Sequence, residues 1–206
     1  MKKITVIYGH PALECFCSAL KQAYCDAAEL AGAEVTVIDV GRLNFDPNLH
    51  NGYQTIQPLE PDLLKAQKEI EQADHLMIIF PIWWGGLPAI LKGFIDRTFL
   101  PGWAFSYSPG ALLPNHLLAG KSARVMVTMD NYPFIFRFLY GMPAIKQIKN
   151  MTLKFCGISP VKVNMMGSVK HSAPKKRRKW LMLAEEYGRK DALSNYIPRE
   201  GAMDKL

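Results

Sequence analysis

The chain has 206 residues, with 25 Lys and Arg against 18 Asp and Glu, a formal net charge of +7. Its 49% hydrophobic and 21% charged content is that of a globular protein, which excludes a disordered chain, a collagen and a disulfide-held miniprotein. A domain takes roughly 150 residues, so the length fits one large domain or two small ones, and the basic balance fits nucleic acid, a membrane surface or anionic ligands such as nucleotide phosphates.

Taken in chain order, short β-branched runs alternate with helical patterns. Residues 3–8 read as a strand, 16–30 as a helix with Ala19, Leu20, Ala23, Ala27 and Leu30 on one face, and 34–40 as a second strand, with Gly32 closing the helix. A loop rich in Asn, Pro and Gly over 41–61 leads to a helix at 62–72. The third strand, 75–80, is apolar at almost every position, as strands covered on both faces are. A helix over 88–99 begins with Pro88 at its first position, and 100–120 is rich in turns. A fourth strand at 123–129, a helix at 143–155, a fifth strand at 161–166 and a last helix at 174–192 complete the pattern. Strand and helix alternating five times predict right-handed crossovers and a doubly wound α/β fold with one parallel sheet. No repeat or linker divides the chain, so one domain is expected over 1–194, followed by a C-terminal tail at 195–206.

Met1-Lys2-Lys3 is followed by only five residues, Ile4-Thr5-Val6-Ile7-Tyr8, before Gly9-His10-Pro11, which read as a strand rather than an export signal. The longest charge-free apolar run, 76–91, is broken by Pro81, Gly85, Gly86 and Pro88 and is too short to span about 30 Å of hydrocarbon. No integral membrane segment is expected, and a cytoplasmic location would keep Cys15, Cys17, Cys25 and Cys156 as thiols. Cys15-Phe16-Cys17 lacks paired metal-ligand spacing, so no metal is assigned.

In such sheets ligands bind beyond the carboxyl ends of the strands, where strand order reverses. The loop after the first strand, residues 9–18, enters a helix N-terminus suited to an anion, and His10 and Ser18 add donors. His10 also fits a plain turn residue before Pro11. Neither common phosphate motif is present: GxGxxG does not follow the first strand, although Asp39 ends the second where a ribose-binding acid would stand. Gly120-Lys121-Ser122 has Asn115 in place of the P-loop glycine and precedes a strand. The loop after the third strand, Phe80-Pro81-Ile82-Trp83-Trp84-Gly85-Gly86-Leu87-Pro88, is the most distinctive segment. Its glycines admit close backbone approach and its tryptophans offer flat faces, either to a ligand or as caps on the core or a dimer interface.

The 20 residues from Phe80 to Phe99, ending Pro88-Ala89-Ile90-Leu91-Lys92-Gly93-Phe94-Ile95-Asp96-Arg97-Thr98-Phe99, resemble the signature of the flavodoxin-like NAD(P)H:quinone oxidoreductases of the DT-diaphorase type. The His10-Pro11 loop with Phe16 and Ala19-Leu20, Asp46-Pro47, Gly102-Trp103-Ala104-Phe105-Ser106-Tyr107 and Phe155-Cys156-Gly157 are similar to the same family. The resemblance implies a flavodoxin-like sheet of strand order 2-1-3-4-5, a tightly held flavin (FAD, with FMN the other option) and a homodimer with active sites at the interface. It places His10, Phe16, Cys17 and Ser18 at the flavin phosphates, and Pro81, Ile82, Trp83, Trp84 and Gly85 along the isoalloxazine. Phe105 and Tyr107 would close over the pocket where nicotinamide and quinone bind in turn. The implied reaction is ping-pong, NAD(P)H giving a hydride to flavin N5 before two electrons pass to a quinone.

Two departures stand out. Cys15 and Cys17 replace the Ser and Asn usual in the family's phosphate loop, and sulfur is the weaker hydrogen bonder. After the fourth strand, Val127-Thr128-Met129-Asp130-Asn131-Tyr132-Pro133 replaces a Thr-Thr-Gly-Gly turn, with no His until His171. Thr128, Asp130 and Asn131 remain candidate flavin contacts, and Trp84, Tyr132 and Tyr140 candidate catalytic residues, the tyrosines as proton donors. The loop 132–143 fits a lid or a dimer interface. Lys175 to Lys179, five consecutive cations, resemble a nucleic-acid patch as a peptide, but a buried stripe of Trp180, Leu181, Leu183, Ala184 and Tyr187 makes them the first turn of an amphipathic helix. No nucleic-acid partner is assigned. The competing function is a binding or ancillary module of the same fold that docks through this cluster.

Overall fold

The computed structural model describes residues 1–194, and the expected tail at 195–206 lies outside them. Strands β1 (Lys3–Tyr8), β2 (Glu34–Asp39) and β3 (His75–Pro81) alternate with helices α1 (Phe16–Leu30), α2 (Pro61–Gln72) and α3 (Ala89–Thr98). A two-residue hairpin, β4 (Phe105–Ser106) with β5 (Asn115–His116), precedes β6 (Ser122–Thr128). The short helices α4 (Pro133–Phe138) and α5 (Pro143–Lys146) follow, then β7 (Val161–Met166) and α6 (Pro174–Leu193). β2, β1, β3, β6 and β7 form one parallel sheet in that order, the flavodoxin-like order expected.

Every residue of β3 and β6 is buried, which accounts for the unbroken apolar run of β3 from Leu76 to Pro81, whereas β6 carries Arg124 among its apolar residues. One apolar core lies under α2, α3 and α5, centred on Ile78, Phe80, Leu91, Phe94 and Val125. On the opposite face α1 and α6 cover Val6, Tyr8, Met77, Ile79 and Met126. Gly188 lets these two helices touch, since a Cβ there would lie 2.3 Å from the Tyr24 carbonyl oxygen. Gly93 does the same for α3, where a Cβ would meet Pro47 at 2.4 Å. Both glycines sit inside helices, where only close packing offsets their propensity cost of about 1 kcal/mol.

The local pattern of the sequence matches these elements with three adjustments. Gly32 follows α1 at φ +88°, as a terminating glycine should. Pro88, expected as the first helical residue, is extended at ψ 142° and caps α3 from outside. Residues 133–138, expected as loop, make the short α4 because Pro133 supplies a helical φ at its first position. The helix expected at 143–155 is α-helical for four residues and widens to π geometry over Gln147–Lys154, with the Thr152 hydroxyl bonded to the Gln147 carbonyl five residues back.

At the amino ends of the strands α6 is clasped to the sheet by buried polar groups. The Asp191 carboxylate accepts hydrogen bonds from Arg124 and from the Tyr24 hydroxyl at 3.0 Å. The His75 Nδ1 lies 2.8 Å from the Ser122 Oγ; its Nε2 is 3.2 Å from Asp191 Oδ2 but poorly aligned with it. Burial alone would raise the Asp191 carboxyl, yet the hydrogen bonds from the Arg124 guanidinium and the nearness of the His75 ring prevail and hold it well below the usual carboxylate range. Burial lowers His75, so the neutral ring is favoured.

Candidate functional site

Strand order reverses between β1 and β3, so the loops after β1, β3 and β6 converge at the carboxyl edge of the sheet. The loops after β3 and β6, with α4 and the start of α5, enclose a cleft of about 650 Å³ lined by Ile82, Trp84, Gly85, Met129, Asp130, Asn131, Phe136, Tyr140 and Pro143. That volume lies within the range of roughly 300–1,000 Å³ typical of small-molecule sites.

The β3 loop forms the floor. Ile82 donates its N–H to the Thr128 carbonyl at 2.8 Å, extending the sheet by one rung. Trp83 and Gly86 then exchange backbone hydrogen bonds across a two-residue turn whose central residues, Trp84 and Gly85, have φ of +51° and +75°. A positive φ is costly for tryptophan, and Trp84 is also fully exposed, so neither burial nor backbone preference explains its place. The turn is braced from behind, since Ala144 donates to the Gly85 carbonyl and Pro143 stands 3.6 Å from where a Gly85 Cβ would be. Among the described residues the N–H groups of Trp84 and Gly85 have no hydrogen-bond acceptor, which leaves two adjacent donors at the cleft.

The β6 loop makes the second wall and is tied to the loop after β7. Lys170 donates its N–H to Asp130 Oδ1, Ser168 to the Asn131 carbonyl and Val169 to the Met129 carbonyl. Gly167 is required beside it, because a Cβ would lie 2.3 Å from Pro133. Asp130 and Asn131 thus face the cleft, whereas Thr128, one residue earlier, is buried with its hydroxyl 3.1 Å from Cys17 Sγ. Pro81 is also buried, as the last residue of β3.

The β1 loop lies beside this cleft. The His10 ring stands edge-on to Trp83 with centroids 5.5 Å apart, and its Nδ1 accepts the Ala12 N–H at 2.9 Å. Cys15 caps α1, exchanging hydrogen bonds with Ser18 through its N–H and carbonyl. Phe16, Cys17 and Ser18 form the first turn, whose N–H groups point out of the helix start. The thiols are coupled to one another and to Tyr8, whose hydroxyl is 3.2 Å from Cys15 Sγ. Hydrogen bonding from Cys17 holds Cys15 below the ordinary thiol range against the effect of burial; Cys17, which gives that bond and is buried, is pushed up.

Other candidate residues are distributed unevenly. Tyr140 lines the cleft, whereas Tyr132, at the start of α4, packs on Phe134 outside it. Phe105 lines a separate hollow of about 260 Å³ with Tyr53, Lys92 and Phe155, and Tyr107 stands edge-on to Phe105. Neither closes over the cleft of its own chain. Met129, Phe136 and Pro143 join the cleft without having been singled out by sequence reasoning, and the five aromatics crowded into 132–140 were the available signal for Phe136. Because α6 follows β7, its basic first turn lies at the same edge, beside the start of α1, where Phe16 and Trp180 rings are 5.8 Å apart. Lys176 stands over Trp180 at 4.9 Å, and Arg177 is turned inward onto Ser172.

A parallel sheet of this order, with a cleft at its switch point, defines a protein of flavodoxin-like fold. The chain belongs to the Flavodoxin_2 family, described as flavodoxin-like fold, whose profile matches residues 2–187, and within it to the NAD(P)H:quinone oxidoreductases. It is an oxidoreductase. The NAD(P)H dehydrogenase [quinone] 1 of Cavia porcellus is 27% identical over 199 residues, covering 84% of this chain and 71% of its own. The solved structure of Smu.1420 from Streptococcus mutans is 32% identical, with a TM-score of 0.75 over 91% of this chain and 98% of that one. An FMN-dependent NADH-azoreductase from Bacillus anthracis, solved in complex with FMN, shares the fold at 15% identity, with a TM-score of 0.74 over 93% of this chain and 100% of that one.

Proposed function

We propose that the chain is a flavin-dependent NAD(P)H oxidoreductase, one flavin-binding domain over residues 1–194, that passes two electrons from NAD(P)H to a quinone or similar acceptor. The observation that carries this reading is the pair of unpartnered N–H groups at Trp84 and Gly85 on the edge of a cleft of about 650 Å³. A flavin supplies a two-electron relay when bound, and the residues present suit it. Donors in a fixed turn stabilise negative charge that develops on a ring during reduction, with no reorganisation at the moment of reaction. Gly85 leaves the ring face open, and Trp84 and Tyr140 flank it.

The first turn of α1 supplies N–H donors and a helix dipole for the flavin phosphate, and His10 and Ser18 line its approach. FAD is our reading on the family resemblance; the azoreductase neighbour, which carries FMN, makes FMN the alternative. Tyr140 and Tyr132 are the candidate proton donors, Tyr140 the better placed because it lines the cleft. In a homodimer with shared sites, as the family resemblance implies, Phe105 and Tyr107 would close over the partner's cleft. The exposed Phe134, Phe138 and Leu139 beside the cleft fit that interface. The basic start of α6 raises the local concentration of an anionic dinucleotide at the correct edge of the sheet. Among the described residues no helix is long and apolar enough to cross a membrane, and we place the protein in the cytoplasm.

The experiment is direct. The purified protein, as isolated or after adding FAD or FMN, should absorb near the flavin band and bleach when NADPH is added without oxygen. Heat-released flavin identifies the cofactor. A protein that stays colourless and takes up neither flavin would overturn the reading and favour the binding-module alternative.

A further inference from the structure

Four cysteines are present, and two of them stand apart in chemistry from the others. Cys25 and Cys156 are buried thiols in the apolar cores, raised by burial to about 11 and about 12. Neither has a partly exposed cysteine within a few residues to start an oxidation. Cys15 is partly exposed at the N-cap of α1, at the positive end of the helix, with the Tyr8 hydroxyl 3.2 Å from its sulfur. Cys17 lies two residues on, with its sulfur 3.1 Å from the Thr128 hydroxyl. The oxidoreductase chemistry above uses neither sulfur.

We propose that Cys15 and Cys17 form an oxidisable dithiol, in which hydrogen peroxide attacks at Cys15 and Cys17 resolves the product to an intrachain disulfide. In the first step the Cys15 thiolate displaces hydroxide from peroxide, forming an S–O bond and breaking the O–O bond, which leaves a sulfenic acid. In the second, the Cys17 sulfur attacks the sulfenic sulfur, the S–O bond breaks and water leaves with the Cys17 proton. One thiolate, one thiol and one peroxide give one disulfide, one water and one hydroxide, with two electrons passing from sulfur to oxygen.

Three features support these roles. Cys15 is the more exposed member, and its sulfur accepts the Ser18 N–H at the positive end of α1, both of which favour a thiolate. Cys17 is two residues away, the spacing that lets it reach a Cys15 sulfenic acid, and it gives up its proton as it attacks. Residues two apart span at most about 7 Å between Cα atoms, and the bend from the extended Cys15 into α1 shortens that span towards the roughly 4.4–6.8 Å a disulfide bridges. Bridging turns Cys17 away from Thr128 and opens the first turn of α1.

The donors that hold the Cys15 sulfur are those a phosphate would use, so a bound flavin shields it from peroxide. That clause rests on the cofactor placement proposed above, whereas the dithiol does not.

The test uses the full-length protein, with and without saturating FAD or FMN, exposed to hydrogen peroxide. Remaining thiols are then alkylated and the protein is cleaved after lysine. Lys3 and Lys21 bound a single peptide, residues 4–21, that contains both Cys15 and Cys17. The expected product is that peptide unalkylated and lighter by two hydrogens, restored to two free thiols by a reductant, with Cys25 and Cys156 still alkylated. Cys15→Ser should slow oxidation of the peptide by about tenfold or more, and Cys17→Ser should instead accumulate oxygen on Cys15, provided each variant keeps the parent circular dichroism. A peptide that remains doubly alkylated, or Cys25 and Cys156 reacting as fast, overturns the proposal. Disulfide formation at the same rate with and without flavin upholds the dithiol and overturns the placement of the flavin phosphate at this loop.

Discussion

The two edges of the sheet treat polar groups in opposite ways. At the amino edge, Asp191 is engaged by Arg124, Tyr24 and His75, and His75 in turn by Ser122, all of them buried or nearly so. At the carboxyl edge, Trp84 and Gly85 hold two N–H groups without acceptors, Trp84 sits exposed in the left-handed region, and Cys15 borders the loop with a sulfur favoured as thiolate. Satisfied networks hold a fold together, and unsatisfied donors beside a cleft are places for a ligand. The difference separates residues that maintain this chain from those that act.

The largest effect should come from breaking the amino-edge clasp. Asp191→Ala leaves Arg124 buried without its carboxylate and should cost about 3–5 kcal/mol of unfolding free energy, measured by urea titration. Flavin content of the folded fraction should be unchanged. A loss of flavin at full stability would erase the distinction between the two edges.

At the carboxyl edge the expectation reverses. Gly85→Trp places a side chain at a φ of +75° against Pro143 and over the cleft, and should weaken flavin uptake by about 100-fold or more, roughly 2.7 kcal/mol. The far-ultraviolet circular dichroism should stay that of the parent. Unchanged flavin content would remove this loop from the site.

A smaller effect is the pH dependence of stability. His75 is lowered in the folded state, so between its folded pKa and the unfolded value near 6.5 the unfolded chain binds more protons. Its contribution is complete above about pH 6.5 and declines as pH falls. Asp191 is also lowered, and its contribution declines only below the unfolded value near 3.9. His75→Gln should therefore flatten the stability profile between about pH 6.5 and 5 and leave the steeper acid limb in place. A parent profile that rises on acidification through that interval would contradict the neutral His75.

The smallest effect is expected at the rim. Replacing Lys175, Arg178 and Lys179 by Glu should raise the KM for NADPH a few-fold at low salt, with the difference vanishing at high ionic strength as charges are screened. No change at low salt would make this turn of α6 a solvated face without a role in the reaction.

Much of the fold is legible in the sequence, because strand and helix periods in this chain are clean. The apolar run of β3 and the cap at Gly32 follow from backbone and burial preferences that act over a few residues. The widening of the helix after Pro143 does not, since it depends on a local hydrogen-bond choice at Thr152 that leaves no periodic trace. Nor does the clasp: Tyr24, His75, Arg124 and Asp191 are spread over most of the chain and meet only when α1 and α6 pack together. Their identity as ordinary polar residues carries no signal of burial.

The site divides in the same way. Residue types alone mark the loop after β3 and the helix start after β1, because paired glycines and tryptophans at a strand exit are chemically unusual wherever they occur. Only the tertiary structure decides that Ile82, Trp84, Gly85, Asp130, Asn131 and Tyr140 share one cleft while Phe105 lines another hollow. It also brings the basic turn of α6 to the carboxyl edge of the sheet beside the start of α1 and, among the described residues, leaves the Trp84 and Gly85 N–H groups without acceptors. Sequence determined which segments could carry chemistry, through composition and short-range backbone preference. The packing of α1 beside α6 and of the β6 loop against the β7 loop determined which of them meet, because contacts between distant segments depend on shape and crossover direction, which no local pattern encodes.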